Sequence, residues 1–532
     1  MKAKTLPRVL IADKIADEGI AILEKKCKVT VKTGQTEAEL IEIAPKFDAI
    51  LVRAASKITA RIIKAGKNVK IIGRAGVGVD NIDVEAATKA GILVVNSPEG
   101  NIMSAAEHTI ALMMSLARNV PQANSSMHEI KWEKSKFTGN QVFEKTLGVV
   151  GFGKIGRLVA ERAIGLGMKV IVHDPYSTEA SVARLGGKLV EKDVLLKESD
   201  YLTFHVPKSK ETYHFCTTND FKKMKKGVRI INCSRGGVID EAALVEFLKN
   251  GKIAGAALDV FESEPLGESE LLSFQNVIVT PHLGASRVEA QTNVAVDVAK
   301  QFNEFFDGVP PTSAVNMPSL KPEILKLHKP YFNAAEKLGI LLEGLMDVSV
   351  ESVELIYEGN VTGMQSSLIT RHFIIGMLKK KHSDSVNIVN AVSLINSGGV
   401  KVVETSKQQS SNRYSDLITA NLTTRKGIIS ASATLLNGKD TRIVKIDGFD
   451  IDLDPIENVL LISHRDKPGM IGKVGTILGD NDINIAGMQV GRKDVRGEAV
   501  MALTIDDEVN AVTLKEIKKI AGLKSIKLIS FS

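Results

Sequence analysis

The 532-residue sequence predicts an α/β protein: two doubly wound parallel-sheet domains followed by an α+β module and a smaller βαββαβ module. Three observations carry that prediction. From residue 8 to about 97, and again from 146 to 280, short apolar runs alternate with helix-period segments. Buried strands joined by helices make a parallel sheet, because each crossover needs roughly ten or more residues. From about 318 the runs lengthen and meet at hairpin turns, and from Glu457 the order strand, helix, strand, strand, helix, strand is that of a ferredoxin-like unit.

In the first domain the strand candidates are 9–12, 29–31, 49–52, 71–73 and 93–95. A helical stretch at 103–116 leads into the second series, with strands expected at 146–150, 170–172, 201–204, 228–231, 255–259 and 277–280. Another helix is expected at 288–306, after which Pro310-Pro311 stops the pattern. The expected division is a first domain over 1–100, completed by 287–317, and a second over 101–286. In the third module, 318–455, helices are expected near 331–345 and 368–378, and strands at 417–424 and 428–436. Lys426-Gly427 separates those strands and Asn437-Gly438 opens a second hairpin. Arg425, Lys426, Lys439 and Arg442 cluster near these turns, which fits a solvated basic face or an anion site. The last module, 456–532, has strands at 459–463, 483–490, 499–505 and 526–530 and helices at 470–478 and 514–520.

Apolar content of 44% and charged content of 25% exclude disorder and collagen-like repeats as the main theme. No run approaches the roughly 18 to 20 apolar residues of a membrane span. The net charge of +7 is spread along the chain and fits anionic small ligands at least as well as nucleic acid; neither a membrane nor a nucleic-acid partner is expected. Cys27, Cys216 and Cys233 are odd in number and lack metal-ligand spacing, so no disulfide framework and no metal site is indicated. A strand begins at Arg8 with no basic apolar leader before it, and the expected location is the cytoplasm.

Leu147-Gly-Val-Val-Gly151-Phe-Gly153-Lys-Ile-Gly156 places Gly-x-Gly-x-x-Gly between an apolar strand and an apolar helix. There Gly151 allows the tight turn, Gly153 lets a pyrophosphate approach the backbone, and Gly156 permits close packing of helix on strand. Asp174 closes the next strand, where a carboxylate hydrogen-bonds an adenosine ribose and repels a 2′-phosphate. A Rossmann-type domain that uses NAD is the expectation.

Three polar residues stand at ends of later strands: Arg235, Glu264 and His282. Ligands collect at the carboxyl ends of strands in such sheets. Oxidation of a secondary alcohol by a nicotinamide needs a base for the hydroxyl proton, and an imidazole suits it. His282 is that candidate, with Glu264 to orient the ring and Arg235 to grip a substrate carboxylate. Taken singly, each also fits a packed histidine or a structural ion pair. Together, with Asn232-Cys-Ser-Arg-Gly-Gly237, Ala257-Leu-Asp-Val-Phe261, Glu264-Pro265 and Pro281-His282, they resemble the Arg/Glu/His set of the D-isomer-specific 2-hydroxyacid dehydrogenases over residues 8–310. The resemblance implies a flavodoxin-like substrate domain beside the cofactor domain. It also implies that Asp259 meets the nicotinamide carboxamide, and that Lys154, Ile155, Val206, Cys233, Ser234, Gly284 and Ala285 line the cofactor.

Within that family the closer likeness is to the long-form members that act on 3-phospho-D-glycerate. Gly73-Arg-Ala-Gly-Val-Gly-Val-Asp-Asn-Ile-Asp83, Asn96-Ser-Pro-Glu-Gly-Asn101, Trp132-Glu-Lys-Ser-Lys-Phe137 and His282-Leu-Gly-Ala-Ser286 carry it. A substrate with a carboxylate and a phosphate calls for converging cations. Arg53 and Arg74, at strand ends, are the phosphate candidates, and Asn101 with Ser97 the carboxylate candidates beside Arg235. Ala54 stands where relatives often carry a serine, which removes one phosphate hydrogen bond. The likeness implies that Lys134 reaches a partner subunit's site; a solvated lysine fits it equally. Leu461-Ile-Ser-His464-Arg-Asp466-Lys-Pro-Gly469, followed by Ile483-Asn484, resembles an ACT domain, which pairs with a second copy and holds an amino acid. The implied ligands of an L-serine effector are His464, Asp466 and Asn484, and the implied assembly is a homo-oligomer, dimer or tetramer. The alternatives are a dehydrogenase for another 2-hydroxy acid and a non-catalytic NAD-sensing protein.

Overall fold

The computed structural model describes the chain except for residues 1–4, 285–287, 319–321, 383–384, 409–413 and 532. Its first sheet holds β1 (Arg8–Ile11), β2 (Lys28–Val31), β3 (Ala49–Val52), β4 (Ile71–Arg74) and β5 (Leu93–Asn96), all parallel in the order 2-1-3-4-5. Except for the exposed edge strand β2, these strands are nearly continuous apolar runs because both faces are covered, and a separate core lies on each face. One of those cores is closed by the helix Val288–Phe306, whose Val294, Ala295, Val298 and Phe302 share one helical face and pack with Val9, Ile11 and Leu23. The chain therefore returns to its first sheet after building the second.

The second sheet holds β6 (Thr146–Val150), β7 (Lys169–His173), β8 (Lys188–Leu189), β9 (Tyr201–Phe204), β10 (Val228–Asn232), β11 (Ile253–Leu258) and β12 (Val277–Val279). Its order is 8-7-6-9-10-11-12, also parallel. The order reverses between β6 and β9, which opens a crevice at the carboxyl ends of those strands. The helix Ile102–Arg118 starts at Asn101, directly after the crossover from the first sheet, and packs on the second through Ala106, Leu112, Met113 and Leu116.

A third sheet holds β13 (Val350–Gly359), β14 (Lys401–Lys407), β15 (Asp416–Thr424), β16 (Gly427–Leu436), β17 (Asp440–Ile446) and β18 (Phe449–Leu453) in the order 14-13-15-16-17-18, with β13 and β14 parallel and the rest antiparallel. The helices Pro322–Leu345 and Ser366–His382 cover it. Arg425 and Lys426 sit at the β15–β16 turn, whereas Lys439 lies in the β16–β17 turn and Arg442 just after it, at the other end of a ten-residue strand. The expected basic cluster is therefore split, because successive hairpin turns stand a full strand length apart, and Arg442 is paired with Asp452 and Asp454.

The last sheet, β19 (Asn458–Arg465), β20 (Ile485–Arg492), β21 (Glu498–Ile505) and β22 (Leu523–Ser530), is antiparallel in the order 20-21-19-22 with two helices between strands. One face of it, through Val459, Leu461, Val500, Ala502 and Ile529, joins the same core as the helix Pro322–Leu345 and the third sheet. The third module also touches the first: Val389 is buried in that domain's core and Asn387 Nδ2 donates to Gly91 O at 2.9 Å. Among the described residues no helix is long and apolar enough to cross a membrane.

Candidate active site

The turn after β6 carries the glycine triplet. Gly151 has φ +88°, a left-handed conformation, and a Cβ there would stand 2.6 Å from His205 O and 2.8 Å from the Val206 side chain. A Cβ on Gly156 would lie 2.1 Å from Gly151 O, so helix and strand meet only because it is glycine. Gly153 faces open space, and the helix that begins at Lys154 has no side-chain cap on its first amides. Bare amides beside an open approach fit a pyrophosphate. Asp174 accepts from Phe152 N at 2.6 Å and from Tyr176 N at 2.8 Å, fastening the loop to the end of β7. Ile155 packs on the core beneath, while Lys154 pairs with Glu99 at 2.6 Å and ties the loop to the crossover from the first domain. A cleft of about 790 Å³ lined by Ser97, Glu99, Lys154, Asn293 and Asp297 opens there. Ser97 Oγ and Asn101 Oδ1 are buried and have no hydrogen-bond partner among the described residues.

At the end of β10, Asn232 organises the turn: its Oδ1 accepts from Ser234 N and Oγ, and its Nδ2 donates to Arg235 O. Burial pushes the Cys233 thiol up to about 12, so it is no thiolate nucleophile. Arg235 Nη1 donates to Ser234 O at 2.7 Å, and its Nε reaches across the interdomain cleft to Asp80 Oδ2 at 3.1 Å. Arg74 Nη1 stands 3.8 Å from the same oxygen. Arg74 also donates to Arg53 O at 3.0 Å and to Gly78 O, so much of its fork is spent within the first domain. Burial holds its guanidinium below the ordinary arginine value. Arg53 is fixed through its backbone, its N donating to buried Asp13 at 2.7 Å, and its side chain makes no ion pair among the described residues. Asp80 lies inside the Gly73–Asp83 segment, yet no local pattern marks its place between two arginines of different domains.

His282 Nδ1 and Glu264 Oε2 are 2.8 Å apart, and Glu264 Oε1 accepts from Phe261 N at 3.1 Å. The hydrogen bond to Glu264 holds His282 above the ordinary imidazole value although burial opposes it. Burial pushes Glu264 up, but the hydrogen bond and charge of His282, together with the Phe261 amide, more than reverse this and leave it below the usual carboxylate range. His282 has φ +55°, which costs a non-glycine residue about 1–3 kcal/mol and must be held by its surroundings. The holder is Asp259, fully buried, which accepts from Leu283 N at 2.7 Å, Gly284 N at 2.8 Å and Thr280 Oγ1 at 2.5 Å. His108, from the helix after the crossover, stands 3.2 Å from Asp259 Oδ1 and 3.3 Å from Thr280 Oγ1. Burial raises the Asp259 carboxyl, and the bonds from His108, Thr280, Leu283 and Gly284 more than reverse that. No local sequence signal marks His108. Ala285 lies outside the described residues, and among the described residues no acidic, His or Cys group is arranged to hold a metal ion.

Two groups of expected residues are not joined to a site within one chain. Lys134 is exposed beside Trp132, which is 81% exposed, on the loop after the helix Val120–His128. In the last sheet, buried His464 has an Nε2 with no partner among the described residues, beside a cavity of about 330 Å³, and Asp466 there accepts from Arg496 N and Arg492 Nη1. Asn484 sits at the opposite end, donating to Asp506: β20 begins beside Ile505, opposite Asn458, whereas His464 is in register with Ala499 and Arg492. Six strand residues separate them, about 20 Å.

Comparison with known proteins gives three matches along the chain: the D-isomer specific 2-hydroxyacid dehydrogenase NAD-binding domain over residues 110–284, the D-3-phosphoglycerate dehydrogenase intervening domain over 327–447 and the ACT domain over 458–522. The chain is 48% identical to a D-3-phosphoglycerate dehydrogenase of Synechocystis, over 98% of its length and 94% of the relative's. It is 43% identical to that of Bacillus subtilis, over 98% and 99%. Among solved structures, a D-lactate dehydrogenase from Aquifex aeolicus complexed with NAD and lactic acid matches with TM-score 0.54 and 28% identity, over 58% of this chain and all of that one. With the ACT domain at its C-terminal end and an NAD-binding domain around the Arg235, Glu264 and His282 cleft, the chain belongs to the D-3-phosphoglycerate dehydrogenase family of NAD-dependent 2-hydroxyacid dehydrogenases.

Proposed function

We propose that the protein oxidises 3-phospho-D-glycerate to 3-phosphohydroxypyruvate with NAD, the first step of the phosphorylated route to L-serine. NAD supplies the chemistry of hydride acceptance when bound. His282 Nε2 takes the hydroxyl proton, because Nδ1 is committed to Glu264. Glu264 stabilises the imidazolium that results, and Arg235 orients the α-carboxylate with Asn101. Arg53 and Arg74 receive the phosphate. Residues 1–100 with 287–317 serve as the substrate domain and 101–286 as the cofactor domain. Gly151, Gly153, Lys154, Ile155 and Gly156 hold the pyrophosphate, Asp174 the ribose, and Val206, Cys233, Ser234, Asp259 and Gly284 line the nicotinamide side. The observation that carries this reading is the Glu264–His282 pair at 2.8 Å facing a cleft where Arg235 and Arg74 converge on Asp80. In the free protein Asp80 stands where a substrate anion would neutralise the same arginines.

L-serine acts as a feedback inhibitor at the ACT domain, held by His464 and Asp466 of one copy and the Asn484 end of β20 of another. The basis is that these residues are about 20 Å apart in one chain and β20 is an edge strand of its sheet. The working form is accordingly a cytoplasmic homo-oligomer, a dimer or tetramer, in which Lys134 serves the neighbouring site. The test is NADH formation from 3-phosphoglycerate and NAD, with and without L-serine, in wild type and His282→Ala. Turnover abolished by the substitution and lowered by serine supports the proposal; a preference for unphosphorylated 2-hydroxy acids, or a fully active His282→Ala, refutes it.

A further inference from the structure

We propose that His108 is a positioning residue for the reaction: its Nε2–H braces the buried Asp259 carboxylate that clamps the His282 turn. The inference rests on the reading of His282 as the base. Asp259 is fully buried and, when ionised, only accepts hydrogen bonds. Its Oδ2 takes Gly284 N at 2.8 Å, while its Oδ1 takes Leu283 N at 2.7 Å and the Thr280 hydroxyl at 2.5 Å. The hydroxyl hydrogen of Thr280 is thereby spent. His108 Nε2, 3.2 Å from Asp259 Oδ1 and 3.3 Å from Thr280 Oγ1, faces two acceptors and so carries the hydrogen shared between them.

A buried carboxylate is stable only while its donors are in place. Two of the four donors to Asp259 are the amides that directly follow His282, whose left-handed backbone needs that support. His108 belongs to a different element, the helix Ile102–Arg118 that leaves the crossover from the first domain. Its side chain is 20% exposed and, among the described residues, forms no hydrogen bond or ion pair with Glu264, His282 or Arg235. The brace thus comes from the interdomain helix, and the chain's crossover and its proton-accepting turn are mechanically linked through one imidazole.

The test uses His108→Leu, which removes the donor, and His108→Gln, whose amide can restore it at similar reach. The expected result for His108→Leu is a fall in kcat of about 10- to 100-fold, the scale of a misplaced catalytic group, with KM for the hydroxy acid within about twofold, whereas His108→Gln recovers most of the loss. Hydrogen exchange of the peptide carrying Leu283 and Gly284 should quicken in His108→Leu and return toward wild type in His108→Gln. Unchanged exchange in His108→Leu overturns the inference, as does an equal loss of kcat in both variants. The exchange readout needs no turnover, so it separates the two readings: fast exchange in His108→Leu together with a fully active His282→Ala keeps the brace and refutes His282 as the base.

Discussion

Glu264→Gln removes a charge while keeping the size of the side chain, and the surrounding bonds set the consequence. Glu264 accepts twice, from His282 Nδ1 at 2.8 Å and Phe261 N at 3.1 Å. A glutamine has one oxygen and one amide nitrogen to offer. If its oxygen stays on Phe261 N–H, its NH₂ faces Nδ1 and favours the tautomer with hydrogen on Nε2, which cannot take a proton. If the oxygen turns to His282, the NH₂ opposes the Phe261 N–H. Two unit charges about 4 Å apart attract by about 1 kcal/mol in bulk water and about 4 kcal/mol near a protein surface. With side-chain exposures of 46% and 37% water screens this pair considerably, and about 2 kcal/mol is the working figure. That corresponds to about 30-fold less stabilisation of the imidazolium, before any tautomer penalty. The expected outcome is a kcat lowered at least about 30-fold, with KM for the acid little changed because, among the described residues, Glu264 bonds to Phe261 and His282 and to no substrate anchor. The pH effect has a definite sign. Hydrogen bonding to Glu264 raises His282 above its ordinary value, and a base must be neutral to act, so the acid limb of kcat should move to lower pH in the variant. Initial rates of NADH formation across pH decide it; a kcat within about threefold of wild type, or an acid limb that stays or rises, rules out this role for Glu264.

Asp174→Ala should raise KM for NAD at least about tenfold and narrow the preference over NADP, since it removes both the partner of Phe152 N and a charge opposed to a 2′-phosphate; initial rates with the two cofactors measure it. Asp13→Asn should destabilise the first domain by about 1–3 kcal/mol, because buried Asp13 accepts from Arg53 N, Ser56 N and Ser56 Oγ; denaturant unfolding reads the loss. Asp220, nearly buried, is held below the usual carboxylate range: burial raises it, but Thr217 and Lys192 outweigh that. Its contribution is present above the ordinary aspartate value and is lost as pH falls through the depressed one. Asp220→Asn should therefore lower stability at neutral pH and flatten the acid limb of a Tm-against-pH curve.

Local spacing made much of this protein legible in its sequence. Apart from the two-residue edge strand Lys188–Leu189, which no apolar run marked, the strands of both parallel sheets stand within a residue or two of the apolar runs, for a strand buried on both faces has few polar positions to blur its ends. The close approach at Gly156 was readable because it involves Gly151, five residues away, and the turn at Gly151 because its left-handed backbone is a local demand. Arg235, Glu264 and His282 could be named because each lies in the loop that follows a strand of one sheet, and parallel strands end on the same side. The remainder depended on sheet order and on how modules pack, which leave no local pattern. Asp80 meets Arg235 across 155 residues, and His108 meets Thr280 across 172. The shared core beneath the last two sheets, the division of the basic residues between opposite ends of β16, and the distance from His464 to Asn484 arise likewise from strand register. Residue order alone nominates Arg235, Glu264 and His282 for one cleft. Which of them hold one another in place is settled by the folded chain, because a hydrogen bond depends on separation in space and not along the sequence.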